Sequence, residues 1–222
     1  MAIKDLLKEL LTNPTNLAEI ITLLVSLLLV RSRPAGFWRW FVVFMTITLL
    51  VETSACYYRL QYGKSNHSFY NAFMIVQAAF YFFLFLKFFS PSQIRLLFSL
   101  LLLVFVLFFL GESVLLKFAG YNLWSRQFLS VYVVLGCCLY YTQLLRQEGT
   151  TSPLREPIFW IITGLFAFYF GSIVTFSIYF PLSGEVRLHY RWFYNTVIGT
   201  LSCILYCSWI IGFICRRRHL RL

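Results

Sequence analysis

Charge is what this sequence has least of. Asp, Glu, Lys and Arg make up 12% of its 222 residues, against roughly 25% in an ordinary soluble domain, and that excludes a water-facing polar shell. Proline is absent from the interiors of the apolar runs. Without paired Gly- or Pro-broken spans in the two halves, the pattern of an inverted-repeat transporter is missing. Cysteines occur without a framework: Cys137, Cys138, Cys203, Cys207 and Cys215 lie in or at the ends of apolar runs, only Cys56 approaches the expected outer surface, and there is no CxxC pair. Neither a disulfide scaffold nor a thiolate metal site fits that usage.

Catalytic signatures are lacking as well. The chain holds no Ser-His-Asp arrangement, HExxH pair or phosphate-binding glycine loop, so no enzyme activity, cofactor or metal is expected. His67 and His189 fall in expected outer loops and His219 in the basic C-terminal end, which leaves no intramembrane histidine base. Between Trp192 and Cys215 there is no lysine, and a retinal Schiff base is unsupported there.

What remains is apolar and aromatic: 60% hydrophobic residues and 20% Phe, Trp and Tyr. Apolar runs read as spans over 17–30, 37–58, 69–89, 94–116, 127–145, 157–180 and 192–215. About 20 residues at 1.5 Å each cross about 30 Å of hydrocarbon. The run over 17–30 is short and must extend into its flanks or thin the bilayer. The expected fold is therefore all-α, a polytopic bundle of about seven transmembrane helices over residues 14–216. Ahead of it, residues 1–13 place Ile3, Leu6, Leu7, Leu10 and Leu11 on one helical face, the mark of an interfacial amphipathic helix ended by Asn13 and Pro14. A cleavable signal peptide does not fit this mixed-charge start. Residues 217–222 read as a basic cytoplasmic tail.

The formal net charge of +11 could point to nucleic acid. The basic residues, however, come one to four at a time between apolar runs, with a tract only at Arg216, Arg217 and Arg218, so nucleic acid is not an expected partner. They report topology instead. Arg31, Arg33, Arg39, Lys87, Arg95, Arg146, Arg155, Arg216, Arg217, Arg218 and Arg221 share one side; Lys4, Lys8, Arg59, Lys64, Lys117, Arg126, Arg187 and Arg191 share the other. The richer side is expected in the cytoplasm, which puts the N-terminus out and the C-terminus in.

Polar residues then collect at one depth. Glu52 and Glu112 lie roughly 22 to 27 Å along outward-running helices, near the outer third, and Asn71, Gln77, Gln127, Ser130, Tyr132, Ser172, Thr175, Ser177, Asn195, Thr196 and Thr200 share that half or its border. The inner half, such as 82–89 and 96–110, is nearly dry. Ionisable groups at membrane depth cost several kcal/mol unless they face protein or water, so this asymmetry favours an outward polar pocket over a pore. Glu52, Asn71, Gln77, Glu112, Arg126, Tyr132, His189 and Asn195 are its candidate ligand-binding residues. Simpler roles compete. Glu52 and Glu112 can pair with Arg59, Lys117 or Arg126, and Asn16 with Glu19 reads as a capping box. Tyr57, Tyr58, Tyr121, Trp124, Tyr190 and Trp192 suit an aromatic belt. Ala167, Gly171 and Thr175, and Gly199, Cys203 and Cys207, form small-residue faces suited to close helix approach.

The segments ITLLVETSACYY around Glu52, SNHSFYNAFMIVQAAFYFFLF, HYRWFYNTVIGTLSCILYCSW and above all EPIFWIITGLFAFYFGS, with Pro157, Phe159, Trp160, Gly164 and Gly171, resemble an uncharacterised family of small Gram-negative bacterial seven-helix membrane proteins. The resemblance covers most of the chain and implies topology and a bacterial inner-membrane location. Gln77 stands where the resemblance implies a carboxylate, and an amide there cannot relay a proton. The expected role is a receptor-like or sensory membrane module. Its partners would be membrane lipids, a small or amphiphilic ligand and a separate cytoplasmic signalling protein. A small transporter or channel with carboxylate-coupled ion movement is the alternative, and an intramembrane lipid enzyme the least supported.

The charge asymmetry carries its own test. An alkaline phosphatase reporter fused after Leu222 should be inactive, as expected for a cytoplasmic C-terminus; periplasmic activity would reverse the assigned orientation.

Overall fold

In hydrocarbon a backbone has no water to bond, so an apolar run long enough to cross must satisfy its own N–H and C=O groups, and a helix does this within one segment. The computed structural model describes residues 2–30, 36–89, 92–146 and 152–219. Among these it is helical throughout, without strands: α1 (Ala2–Thr12), α2 (Pro14–Val30), α3 (Gly36–Tyr62), α4 (His67–Phe88), α5 (Ser92–Leu115), α6 (Leu123–Arg146), α7 (Pro157–Tyr179), α8 (Gly184–His189) and α9 (Arg191–His219), with a 3-10 turn at Pro153–Arg155 before α7. Six helices are long and apolar enough to span a membrane, and α1 with α2 makes a seventh crossing if that pair, bent by 84°, counts as one broken span. This is a multi-pass helical membrane protein. Residues 217–219, expected in a separate tail, continue α9 without a break. Arg31, Arg33, Glu148 and Arg221 lie outside the described residues.

Helix packing closes a ring. Going round it, α2 packs on α3, α3 on α4, α4 on α6, α6 on α7, α7 on α9, and α9 back on α2. Helix α5 sits outside this ring in the groove between α4 and α6. Its lipid-like outer face carries Leu96, Leu100, Leu103, Leu107 and Leu110, each about half exposed or more. Helix α1 lies across the end of the bundle against α2 and α3. That end, here the α1 end, also carries the α3–α4, α5–α6 and α7–α8 connections.

Toward the opposite end the ring is filled by aromatic and aliphatic side chains. Phe41, Met45, Leu84, Phe85, Val133, Ile161, Ile162, Leu165 and Phe213 are fully buried. Phe41 meets Trp209 edge-on at 4.8 Å and Phe213 at 5.2 Å, Trp38 meets Phe213 at 5.3 Å, and Phe44 stacks on Phe80 at 4.0 Å. Each such pair contributes about 0.5–1.5 kcal/mol beyond burial. The result is an apolar plug across the C-terminal half of the bundle.

The tightest seam joins α7 to α9, and glycines make it. A β-carbon on Gly164 would come within 2.9 Å of Ser208 Cβ and 3.1 Å of the Leu205 carbonyl, and one on Gly212 within 2.9 Å of the Pro157 carbonyl. Gly171 contributes too, facing Leu201. Gly199, expected on the same kind of face, instead looks toward Thr15 of α2, where an added β-carbon finds 3.5 Å and room. Backbone carbonyls cannot step aside as side-chain ends can. Gly164→Val should therefore lower the melting temperature in detergent at a cost of about 1–3 kcal/mol, while Gly199→Ala melts like the parent; equal melts would refute the close approach.

Candidate functional site

Helix α2 shows why a cavity exists. Its buried residues include Asn16, Glu19, Thr22 and Ser26, while Leu17, Ile21, Leu24, Leu27 and Leu28 face outward. This is the reverse of a soluble amphipathic helix. In lipid the apolar stripe can be left outside, and the polar stripe must turn to protein. Thr22 donates to its own helix at Ala18 O (2.7 Å). Glu19, 1% exposed, points among the ring helices with Oε1 unbonded. The expected capping box is not formed: the Thr15 N–H donates to Asn13 Oδ1 at 3.0 Å, so Asn13 caps α2 and Glu19 is released inward.

Inside the ring, at the α1 end, lies a cavity of about 1150 Å³. All six ring helices line it, Glu9 and Thr12 of α1 join them, and α5 does not. Glu19 of α2 and Glu52 of α3 enter from one side, with the Tyr206 hydroxyl of α9 set against Glu19. Tyr70 of α4 donates its hydroxyl to Glu52 Oε2 at 2.9 Å. From α6 comes Arg126, whose Nη1 donates to Gln77 Oε1 at 2.7 Å and whose guanidinium lies 5.5 Å from the Tyr169 ring centroid. Tyr169 in turn donates to Tyr81 at 2.9 Å. Among the described residues no carboxylate reaches ion-pair distance of Arg126, and its Nε is buried and unbonded. Ser172, one turn from Tyr169 on α7, is fully buried with a free Oγ. Phe44, Tyr81, Tyr169 and Trp209 close the floor above the plug, and Asn13, Arg59, His67 and Asn195 stand at the rim. Arg59 is ion-paired with Glu9 of α1, which ties the transverse helix to the mouth.

Four of the eight expected ligand residues, Glu52, Gln77, Arg126 and Asn195, line this cavity. The other four are elsewhere, each for a structural reason. Glu112 was expected to converge with Glu52; instead it accepts from Trp124 N (3.0 Å), Ser125 N (2.8 Å) and the Ser125 hydroxyl, capping the start of α6. Asn71 bonds Gly120 O (2.8 Å) and receives Asn122 N (3.1 Å), pinning the α5–α6 connection to α4. Tyr132 packs against Phe98 and Phe85 at 5.1 and 6.1 Å. His189 is exposed on α8 beside Tyr190. Glu19 takes the place expected of Glu112. Its signal was present: Asn16, Glu19, Thr22 and Ser26 recur every three or four residues in an otherwise apolar helix, a stripe that no cap requires.

Chemically, the site offers two carboxylates and one guanidinium on facing walls, with tyrosine hydroxyls between and aromatic faces around them. Among the described residues no group of three His, Cys, Asp or Glu is gathered to hold a metal ion. No family model, curated protein or solved structure matches this chain.

Glu112 now has a purely structural role to test. Its carboxylate meets the unpaired N–H groups and positive end of α6, so Glu112→Ala should cost about 1–2 kcal/mol in a detergent melt. An unchanged melt would contradict the cap.

Proposed function

We propose that this protein is a receptor-like or sensory module of a bacterial inner membrane that binds a small or amphiphilic molecule in the α1-end cavity and passes the event to a separate cytoplasmic partner. The observation that carries this reading is the cavity itself: about 1150 Å³, somewhat above the roughly 300–1,000 Å³ range of small-molecule sites. It is aromatic-walled, polar at chosen points, and stopped by an apolar plug in place of a through-channel. The basic-residue count supports an outward mouth and an inward C-terminus. Helices α7 and α9 carry Tyr169, Ser172, Tyr206 and Trp209 to the ligand position and meet each other through the glycine seam, so a displaced cavity wall must shift the seam. Arg217 and Arg218, at the far end of α9, would present that shift to an acidic partner surface.

Glu19 and Glu52 facing one cavity also favour a second reading, ion-coupled transport. One experiment separates the two. In detergent, the parent protein should gain melting temperature with at least one compound of a broad library, by mass action, and Gly199→Trp, which fills the mouth between α2 and α9, should abolish the gain without lowering the unliganded melt. The receptor reading fails if no compound shifts the melt. Ion flux in proteoliposomes that stops on Glu52→Gln would move the assignment to transport.

A further inference from the structure

Three buried polar atoms in the cavity wall lack a partner: Glu19 Oε1, Arg126 Nε and Ser172 Oγ. An unmet buried polar group is costly, the more so when charged, so three at one cavity mark what an occupant supplies. They are chemically divided. On the α2–α3 wall an acceptor carboxylate, Glu19, stands with a second, Glu52, beside Tyr70 and Tyr206. This wall calls for a cationic donor, and the surrounding aromatic faces favour an ammonium. On the α6–α7 wall Arg126 has one arm on Gln77 and an unpartnered Nε, its guanidinium lies against the Tyr169 ring, and one turn from Tyr169 stands Ser172 with an unpartnered Oγ. That wall calls for an oxyanion, which a guanidinium fork and a hydroxyl donor suit.

We infer that the cavity binds a zwitterion of the phosphoethanolamine type, its ammonium against Glu19 and Glu52 and its phosphate against Arg126 and Ser172. The amide at Gln77 is what leaves the site open to an anion: a carboxylate at that position would pair with Arg126 and occupy the fork. The aromatic remainder of the cavity exceeds the headgroup in size and accommodates an attached apolar chain, so the same chemistry can arrive as a free solute or as the headgroup of a lipid. The inference rests on the proposed ligand-binding reading and narrows it.

The test uses full-length protein in detergent, with titration calorimetry against four probes: phosphoethanolamine, lysophosphatidylethanolamine, ethanolamine and inorganic phosphate. One of the two zwitterions should bind at least about tenfold tighter than either half alone. The free form or the lysolipid, whichever is tighter, identifies the source. Glu19→Gln, which keeps the side-chain shape, and Ser172→Ala should each weaken the zwitterion, Glu19→Gln by about tenfold and with the larger loss in the amine-bearing probes. Arg126→Gln should remove the preference for the phosphate, and Ser172→Ala supplies the same reading at that wall if Arg126→Gln fails to fold. Ethanolamine binding as tightly as both zwitterions, with all binding lost in Gly199→Trp, would overturn the zwitterion assignment and leave the pocket standing. Binding that survives in Gly199→Trp would overturn both.

Discussion

A hydrophilic side chain at membrane depth must meet protein or trapped water, because hydrocarbon gives its donors and acceptors nothing. Helix α2 is where this constraint shapes the molecule. Its Asn16, Glu19, Thr22 and Ser26 stripe cannot face lipid, and seating it between α3 and α9 closes the six-helix ring. Helix α5, whose middle is almost wholly apolar, meets no such demand and stays outside. The cavity is the space the ring leaves where inward side chains are polar and kept apart. The plug is the space it fills where they are aromatic and can touch.

Charge separation across that space has consequences for what the wall can hold. Opposite charges interact strongly at low dielectric, yet Arg126 is steadied by Gln77 and the Tyr169 ring while Glu52 is steadied by Tyr70. Each charge thus has a neutral partner that fixes its position without cancelling it. The same helices that shape the α7 and α9 walls touch through Gly164 and Gly212 at backbone distance. At the mouth, Glu9 and Arg59 couple α1 to α3 by a partly exposed ion pair, a contact that salt weakens.

The spans were legible because their signal is a run length. Each expected apolar run matches one helix: the runs over 69–89, 94–116 and 157–180 end one residue past theirs, and the other four lie inside helices whose ends extend by up to about four residues. Part of the site was legible too: Glu52, Gln77, Arg126 and Asn195 line one cavity. Azimuth was the failure. Glu112 sits at the level of Glu52 but on a helix outside the ring, where its nearest unmet need is the N-terminus of α6. Asn71 and Tyr132 answer the needs of a loop and an aromatic cluster. Glu19 was misread because a capping box and an inward polar stripe share the same three-residue spacing, and only the position of Asn13 tells them apart.

By itself the sequence determined that this chain is a helical, multi-pass membrane protein and placed its helices along the chain to within a few residues, because both depend on local hydropathy and on a fixed rise per residue. Tertiary structure alone decided which polar groups share a cavity, which ones cap and tether, and which helix stands apart. Those outcomes depend on the rotation of each helix about its axis and on its neighbours around the ring, which are set by packing between segments distant in the chain.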